Sequence, residues 1–348
     1  MKHNSSRRKF IQTSLLAGAG LGLTNNVTSA FRYSGAAPGK RVGMIGLDTS
    51  HVIAVTNALN NPKEGADWDG YRVVAAYPTK GSADMEASIG RLAGFTEQVK
   101  NQGVEIVDSI EELLDKVDVV LLESVDGRRH LAEALPVLKS GKMMFIDKPL
   151  AASLEDAMVI FDAAQKYNVP VFSASSLRYI TGAKEIAEGK IGKVIGADSY
   201  GDCYIEPNHP DLVYYGIHGI EILYALMGTG CKRVVRIHRD DTDMVVGTWQ
   251  DDRIGSYRGT RSGTKDFGAT VFGETGIDLL NKSAGYDPLW QKIIEFFNTG
   301  IVPVSPEETL EEFAFMAAAE ESKLKGGASI ELEMIIARAE KKVKEMHF

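Results

Sequence analysis

Val42-Gly43-Met44-Ile45-Gly46-Leu47-Asp48-Thr49-Ser50-His51 is the stretch on which the fold turns. Residues 41–47 form a continuous apolar run of strand length. Residues 50–60 carry helical spacing, so a buried strand passes into a helix through Gly46. The rhythm repeats outward. Strands are predicted at 72–77, 104–107, 117–122, 143–146 and 169–173, with helices between them at 50–60, 85–101, from Ser109, 128–139 and 153–167. Ser109 with Glu112 is a capping box, and Ser153 is followed by Glu155 and Asp156 in a first turn. Strands apolar at every position are buried on both faces, which means a parallel sheet. Right-handed crossovers then give a doubly wound α/β domain over 40–175.

Beyond residue 175 the rhythm changes. A helix at 182–188, a long strand at 194–204 and an apolar helix around His218 precede closely spaced strands at 234–238, 243–249, 253–258 and 268–272. Turns at Asp251-Asp252 and Ser262-Gly263 fit antiparallel neighbours, and helices at 288–298, 306–323 and 330–345 follow. The expectation is an α+β domain over 176–348 on an open antiparallel sheet, whose exposed face suggests a homo-oligomer.

The 348 residues hold 39 basic and 47 acidic side chains, a net charge of −8. Residues 1–30 supply four of the basic ones and no acid, so setting them aside takes −8 to −12. That balance, with no basic patch, argues against nucleic acid as a partner. Ser5-Ser6-Arg7-Arg8-Lys9-Phe10-Ile11 ahead of an apolar stretch to Leu23, ending in Thr28-Ser29-Ala30, reads as a twin-arginine export signal cleaved near Ala30. Residues 31–39 would be a linker and the mature protein periplasmic. The apolar stretch is too short for a stable membrane span, which needs about 20 residues. Cys203 and Cys231 have no metal-like spacing and are read as two buried thiols.

The first strand-to-helix turn is where a Rossmann fold carries its pyrophosphate loop. Gly46 is present, but Asp48 and His51 stand where the second and third glycines belong. An aspartate against a phosphate at about 4 Å costs roughly 4 kcal/mol at an effective dielectric of about 20. Either Asp48 or Ser50 caps the following helix and occupies the anion site, or the loop turns Asp48 aside and a dinucleotide still binds. After the second strand stands Tyr77-Pro78-Thr79-Lys80 in place of the usual acid. Gly46, Leu47, Asp48, Thr49, Ser50, His51 and Tyr77 are the candidate cofactor contacts here.

Two further strings carry chemistry. Asp147-Lys148-Pro149 places a lysine at the exit of a buried strand. In Tyr214-Tyr215-Gly216-Ile217-His218-Gly219-Ile220-Glu221, spacings of four and three put Tyr214, His218 and Glu221 on one helical face. Lysine, imidazole, phenol and carboxylate in one cleft are the equipment for moving a proton on and off a sugar hydroxyl. Glu206, His209, Asp211 and His218 raise a metal reading, but the spacing is not that of a ligand set, and no metal is expected.

With these residues in view, the chain from Lys40 onward resembles the Gfo/Idh/MocA family of glucose–fructose oxidoreductase-like and inositol-dehydrogenase-like proteins. Asp147-Lys148-Pro149 is similar to the family's Glu-Lys-Pro motif, and Ser124-Val125-Asp126 to the segment lying along the cofactor. Ser176-Leu177-Arg178 is similar to the entry into the substrate domain, and Gly216-Ile217-His218 with Glu221 to the Asp-x-Gly-x-His-x-x-Asp motif. The resemblance implies NAD or NADP as cofactor, with Asp48 counting against it. It implies cofactor contacts from Ser124, Asp126 and Lys148, His218 as acid/base, Lys148 on the substrate hydroxyl, and catalytic support from Tyr214 and Glu221. Arg178 and Tyr215 become substrate contacts. The expected function is an exported NAD(P)-dependent oxidoreductase acting on a sugar, cyclitol or glycoside. The alternatives are a cofactor-free or redox-neutral lyase, isomerase or glycosidase, and a non-catalytic carbohydrate-binding protein.

Overall fold

The computed structural model describes residues 39–346; the export-signal expectation lies outside them. Six parallel strands form the first sheet in the order β3-β2-β1-β4-β5-β6. They are β1 (Arg41–Ile45), β2 (Arg72–Tyr77), β3 (Glu105–Ile106), β4 (Val119–Leu122), β5 (Met144–Asp147) and β6 (Val171–Ala174). Helices α1 (His51–Asn60), α2 (Glu86–Asn101), α3 (Ile110–Lys116), α4 (Gly127–Lys139) and α5 (Leu154–Tyr167) connect them. The order reverses between β1 and β4, which opens a crevice at the carboxyl ends of β1, β4 and β5. All four side chains of β4, Val-Val-Leu-Leu, are buried, as a parallel strand covered on both faces requires. The Ser109 and Ser153 caps form as read, their hydroxyls accepting from the amides of Glu112 and Asp156.

Gly46 is required by geometry. Its φ is +84°, and a Cβ there would lie 2.5 Å from the backbone nitrogen of Ser124. Gly46→Ala is therefore expected to lower the unfolding free energy by at least the roughly 1–2 kcal/mol of the left-handed conformation, with the clash in addition. Urea titration measures it, and a change under about 0.5 kcal/mol, the range of an ordinary surface substitution, would contradict it.

The second sheet has seven strands in the order β12-β11-β7-β10-β9-β8-β13. They are β7 (Val194–Asp202), β8 (Cys231–Arg239), β9 (Thr242–Trp249), β10 (Ile254–Thr260), β11 (Gly268–Gly273), β12 (Ile277–Leu280) and β13 (Ile330–Glu331). The expected antiparallel sheet is in fact mixed. β7 inserts between β10 and β11 and runs parallel to β10, so the Ser262-Gly263 turn joins strands that are not neighbours. The Asp251-Asp252 turn does close an antiparallel pair, β9 with β10. Helices α6 (Ala183–Ala187), α7 (Ile217–Met227), α8 (Asp287–Thr299), α9 (Pro306–Leu324) and α10 (Leu332–Glu345) complete the chain. The residues 330–331 expected to open the last helix instead form β13.

α7 is apolar on nearly every side and buried, as such a helix must be. Gly219 lets it approach β10, since a Cβ there would meet the Tyr257 ring at 2.2 Å. α8 packs back on the first sheet, with Phe296 against Phe172 at 4.9 Å and Phe297 against Tyr71 at 5.8 Å. Both cysteines are free, buried thiols. No helix among the described residues is long and apolar enough to cross a membrane.

Candidate functional site

The crevice is built from the ends of β1, β4, β5 and β6 and from the α7 region. Lys148 leaves β5 toward two aromatic rings, its Nζ lying 6.0 Å from the centre of Tyr214 and 5.7 Å from that of Tyr215. His218 meets the same Tyr215 ring edge-on at 5.1 Å and Phe267 at 5.5 Å. The lysine of the first sheet and the imidazole of the second half thus flank one tyrosine. Burial pulls the Lys148 ammonium below its ordinary range, with Asp147 and Glu123 opposing. Burial, then the charges of Lys148 and His51, hold His218 well below 6.5, so it is neutral at pH 7.

The His218 motif differs from the expectation in three ways. Tyr214 lies in the turn before α7 rather than on its face, because the helix begins only at Ile217. It reaches the site from that turn, packed with tilted rings between His209 at 5.5 Å and Tyr215 at 6.0 Å. Glu221 does not touch the imidazole. Its carboxylate accepts from the Ser175 amide at 3.0 Å and from Arg178 at 3.2 Å, while the Ser175 hydroxyl sits 2.7 Å from His218 Nδ1. Arg178 is not a substrate contact. Its guanidinium is buried among Glu221, Glu308 and Glu312, which commits its NH1 and NH2 ends to the protein. Burial pushes Glu221 up to about 7 against the pull of Arg178, and Glu312 well above its usual range.

The pyrophosphate loop resolves the Asp48 question by turning the side chain inward. Asp48 is fully buried, accepting from the Val125 amide at 2.9 Å and from the Ser88 hydroxyl at 2.5 Å. It does not cap α1, and neither does Ser50, which makes no side-chain cap bond. Beyond the weak Thr49 contact at His51, the first turn keeps amides such as that of Val52 without a side-chain acceptor, a setting that suits an anionic group. Gly46 and Leu47 donate their amides to the carbonyls of Tyr77 and Pro78, and Thr49 Oγ1 accepts weakly from the His51 amide at 3.4 Å.

Ser124 and Asp126 serve the protein first. The Ser124 hydroxyl donates to Glu133 at 2.7 Å, and its carbonyl is 2.6 Å from His130 Nε2. Asp126 caps α4, pairs with Arg128, accepts from Ser82, and lies 3.2 Å from His209 Nε2. Burial pushes its carboxyl up, but His209, Arg128 and Ser82 outweigh that and hold it far below the usual range. The Glu206–His209–Asp211–His218 metal set does not assemble, since Asp211 is held by Arg236 and Lys323.

Sequence reading missed three participants. Ser175 ties α7 to the end of β6. Glu123 is a fully buried carboxyl at the exit of β4, with no hydrogen-bond partner on either oxygen. Tyr286 meets His51 edge-on at 5.2 Å. The signal for Glu123 was available: an acid directly after a buried apolar strand, the cue that singled out Lys148.

A family model described as an oxidoreductase family with an NAD-binding Rossmann fold matches residues 40–175. The chain is 33% identical over 107 residues to a 1,5-anhydro-D-fructose reductase of Ensifer adhaerens, covering 29% of this chain and 32% of that one. It is 26% identical over 197 residues to inositol 2-dehydrogenase 2 of Saccharopolyspora erythraea, 53% of this chain and 52% of that one. The matches thus span about a third to a half of these relatives' lengths. Among solved structures, myo-inositol dehydrogenase of Lactobacillus casei in complex with NAD(H) and myo-inositol superposes with a TM-score of 0.65 at 20% identity, covering 84% of this chain and 96% of that one. The scyllo-inositol dehydrogenase of the same organism gives 0.64 at 14% identity, with 84% and 99% covered. At these identities the likeness is one of fold.

Proposed function

From the premise that this chain belongs, through residues 40–175, to the Gfo/Idh/MocA oxidoreductase family, we propose that it is an NAD(P)-dependent oxidoreductase acting on a secondary hydroxyl of a cyclitol or sugar. The observation that carries this reading is Lys148 and His218 both against the ring of Tyr215. The loop fits a dinucleotide: Ser50 leaves α1 without its usual cap, the Thr49 contact to the first amide is weak, and Asp48 is turned aside. Gly46, Leu47, Thr49, Ser50 and His51 would hold the pyrophosphate side, with Lys148 nearer the reacting end. When bound, the nicotinamide supplies a two-electron acceptor for the carbinol carbon.

The residues of the chain handle the proton. A base at Nε2 of His218 needs its other nitrogen protonated. Nδ1–H then donates to Ser175 Oγ, which also accepts from the Leu177 amide. That leaves the Nε2 lone pair for the substrate hydroxyl. Burial keeps the imidazole unprotonated in the resting state, so it is ready to accept. The Lys148 ammonium, held over two aromatic faces, polarises the hydroxyl oxygen as negative charge develops there. The rings of Tyr214, Tyr215 and Phe267 exclude water around the reacting carbon.

The inositol dehydrogenases that share the fold make cyclitols the first substrates to test. The test is titration of the purified protein with NAD(H) and NADP(H), followed by a polyol panel that includes myo- and scyllo-inositol with absorbance at 340 nm as readout. Binding of either nucleotide and turnover of one polyol is the expected result. A protein that binds neither nucleotide yet converts a glycoside would replace this reading with the cofactor-free alternative. We further propose export by the Arg7-Arg8 signal, which a fractionation of cells producing the full chain tests directly.

A further inference from the structure

We propose a divalent-metal site, formed in the absence of nucleotide by His51, Glu123 and Asp147 in the buried part of the crevice. One ligand atom from each lies within 4.8 Å of the other two. The three come from different elements: His51 opens α1, Glu123 follows β4, and Asp147 ends β5. The crevice between the sheet's two halves therefore brings them together, and no sequence spacing does.

Glu123 carries the argument. It is fully buried, and neither oxygen has a hydrogen-bond partner. A buried carboxyl without partners costs about 1–3 kcal/mol or more, so such a group stands where something else satisfies it. Its neighbours are the Asp147 carboxylate, the His51 imidazole and the Lys148 amine, whose charge a bound cation would have to displace or neutralise. His51 Nδ1 is 2.7 Å from Asp147 Oδ2, and the Asp147 carboxylate can only accept in that contact. A cation entering the triangle would take the place of the proton between them. Its charge would be met by both carboxylates.

The donor set, one imidazole nitrogen and two carboxylate oxygens, suits zinc, manganese, cobalt or iron(II) rather than calcium, which takes six to eight oxygens. Donors about 2.1 Å from a tetrahedral ion stand roughly 3.4 Å apart. The His51–Asp147 contact of 2.7 Å must open to reach that spacing, and the other edges, at most 4.8 Å, must close by up to about 1.4 Å, both within the reach of side-chain rotation. The fourth position would face the cleft that holds Lys148 and be filled by water or a substrate oxygen.

The test uses the full chain, stripped with chelator and dialysed. Zn²⁺ alone is titrated by calorimetry, bound metal is counted by elemental mass spectrometry, and Co²⁺ is added to read its visible ligand-field bands. One equivalent is expected, with a zinc-dependent rise in melting temperature. Glu123→Gln keeps the shape and removes the charge, and it should weaken binding at least tenfold and abolish the melting shift. His51→Gln, at a partly exposed position, is the second variant should the first fold poorly, and it should remove the nitrogen-dependent part of the Co²⁺ spectrum. Equal metal uptake by the wild type and both variants, or no uptake by the wild type, would overturn the site. Neither result depends on nucleotide binding, so failure here and failure of the oxidoreductase reading are distinguishable.

Discussion

Arg178→Met is expected to cost the protein about 3–5 kcal/mol at about pH 8, the largest stability loss of any single substitution discussed here. One guanidinium serves Glu221, Glu308 and Glu312. Removing it strands three carboxylates in or near the core, and methionine supplies length without charge. The deficit should shrink at about pH 5, because stranded carboxyls can take up protons. The sign is set by Glu221, whose folded pKa is raised to about 7. A carboxyl with a raised folded pKa contributes stability that is fully present below its unfolded value, near 4.5, and lost as pH rises through the folded one. Wild-type stability from this group therefore declines between about pH 4.5 and 7, and Glu221→Gln should flatten that slope. Urea unfolding of the three proteins at both pH values measures all of this. An Arg178→Met protein within about 1 kcal/mol of wild type at the higher pH would show that the arginine is not the clamp the structure makes it.

His218→Asn is expected to lower kcat on a productive polyol by about 10²–10⁴-fold, the usual span for loss of a positioned base, while nucleotide affinity stays within about threefold. Asparagine has no basic nitrogen, so the proton acceptor is lost. The imidazole of the wild type is held well below 6.5 by burial, Lys148 and His51, so the acid limb of its kcat/KM profile should fall below that value. A variant with a KM change alone would move His218 from proton transfer to substrate binding.

Much of this was readable along the chain. Parallel strands at domain centre are apolar throughout, and Val119–Leu122 and residues 144–146 announce themselves that way. Lys148 and His218 could be named because a strand exit and a helix start are local features. That they would share one cleft was an expectation, but the Tyr215 ring that both touch could not be read, since it depends on the placement of α7 against β5. Tyr214 was read onto a helix that begins three residues later, because helical spacing cannot report where backbone hydrogen bonds start. Arg178 was misread for a similar reason. Two of its three partners lie on α9, more than 100 residues away, and a charged residue in a motif looks free until its counter-ions are seen. The mixed second sheet was hidden too, because a turn of suitable residues says nothing about a third strand entering between its arms.

By itself the sequence determined the doubly wound domain and the glycine turn at its head. Both of these follow from local periodicity and backbone sterics. Only the tertiary structure decided what Asp48 does, where Arg178 spends its charge, and that Glu123, Asp147 and His51 stand together. Electrostatic partnership depends on distance in space, and the order of residues along a chain does not encode which charges folding will bring within a few ångströms.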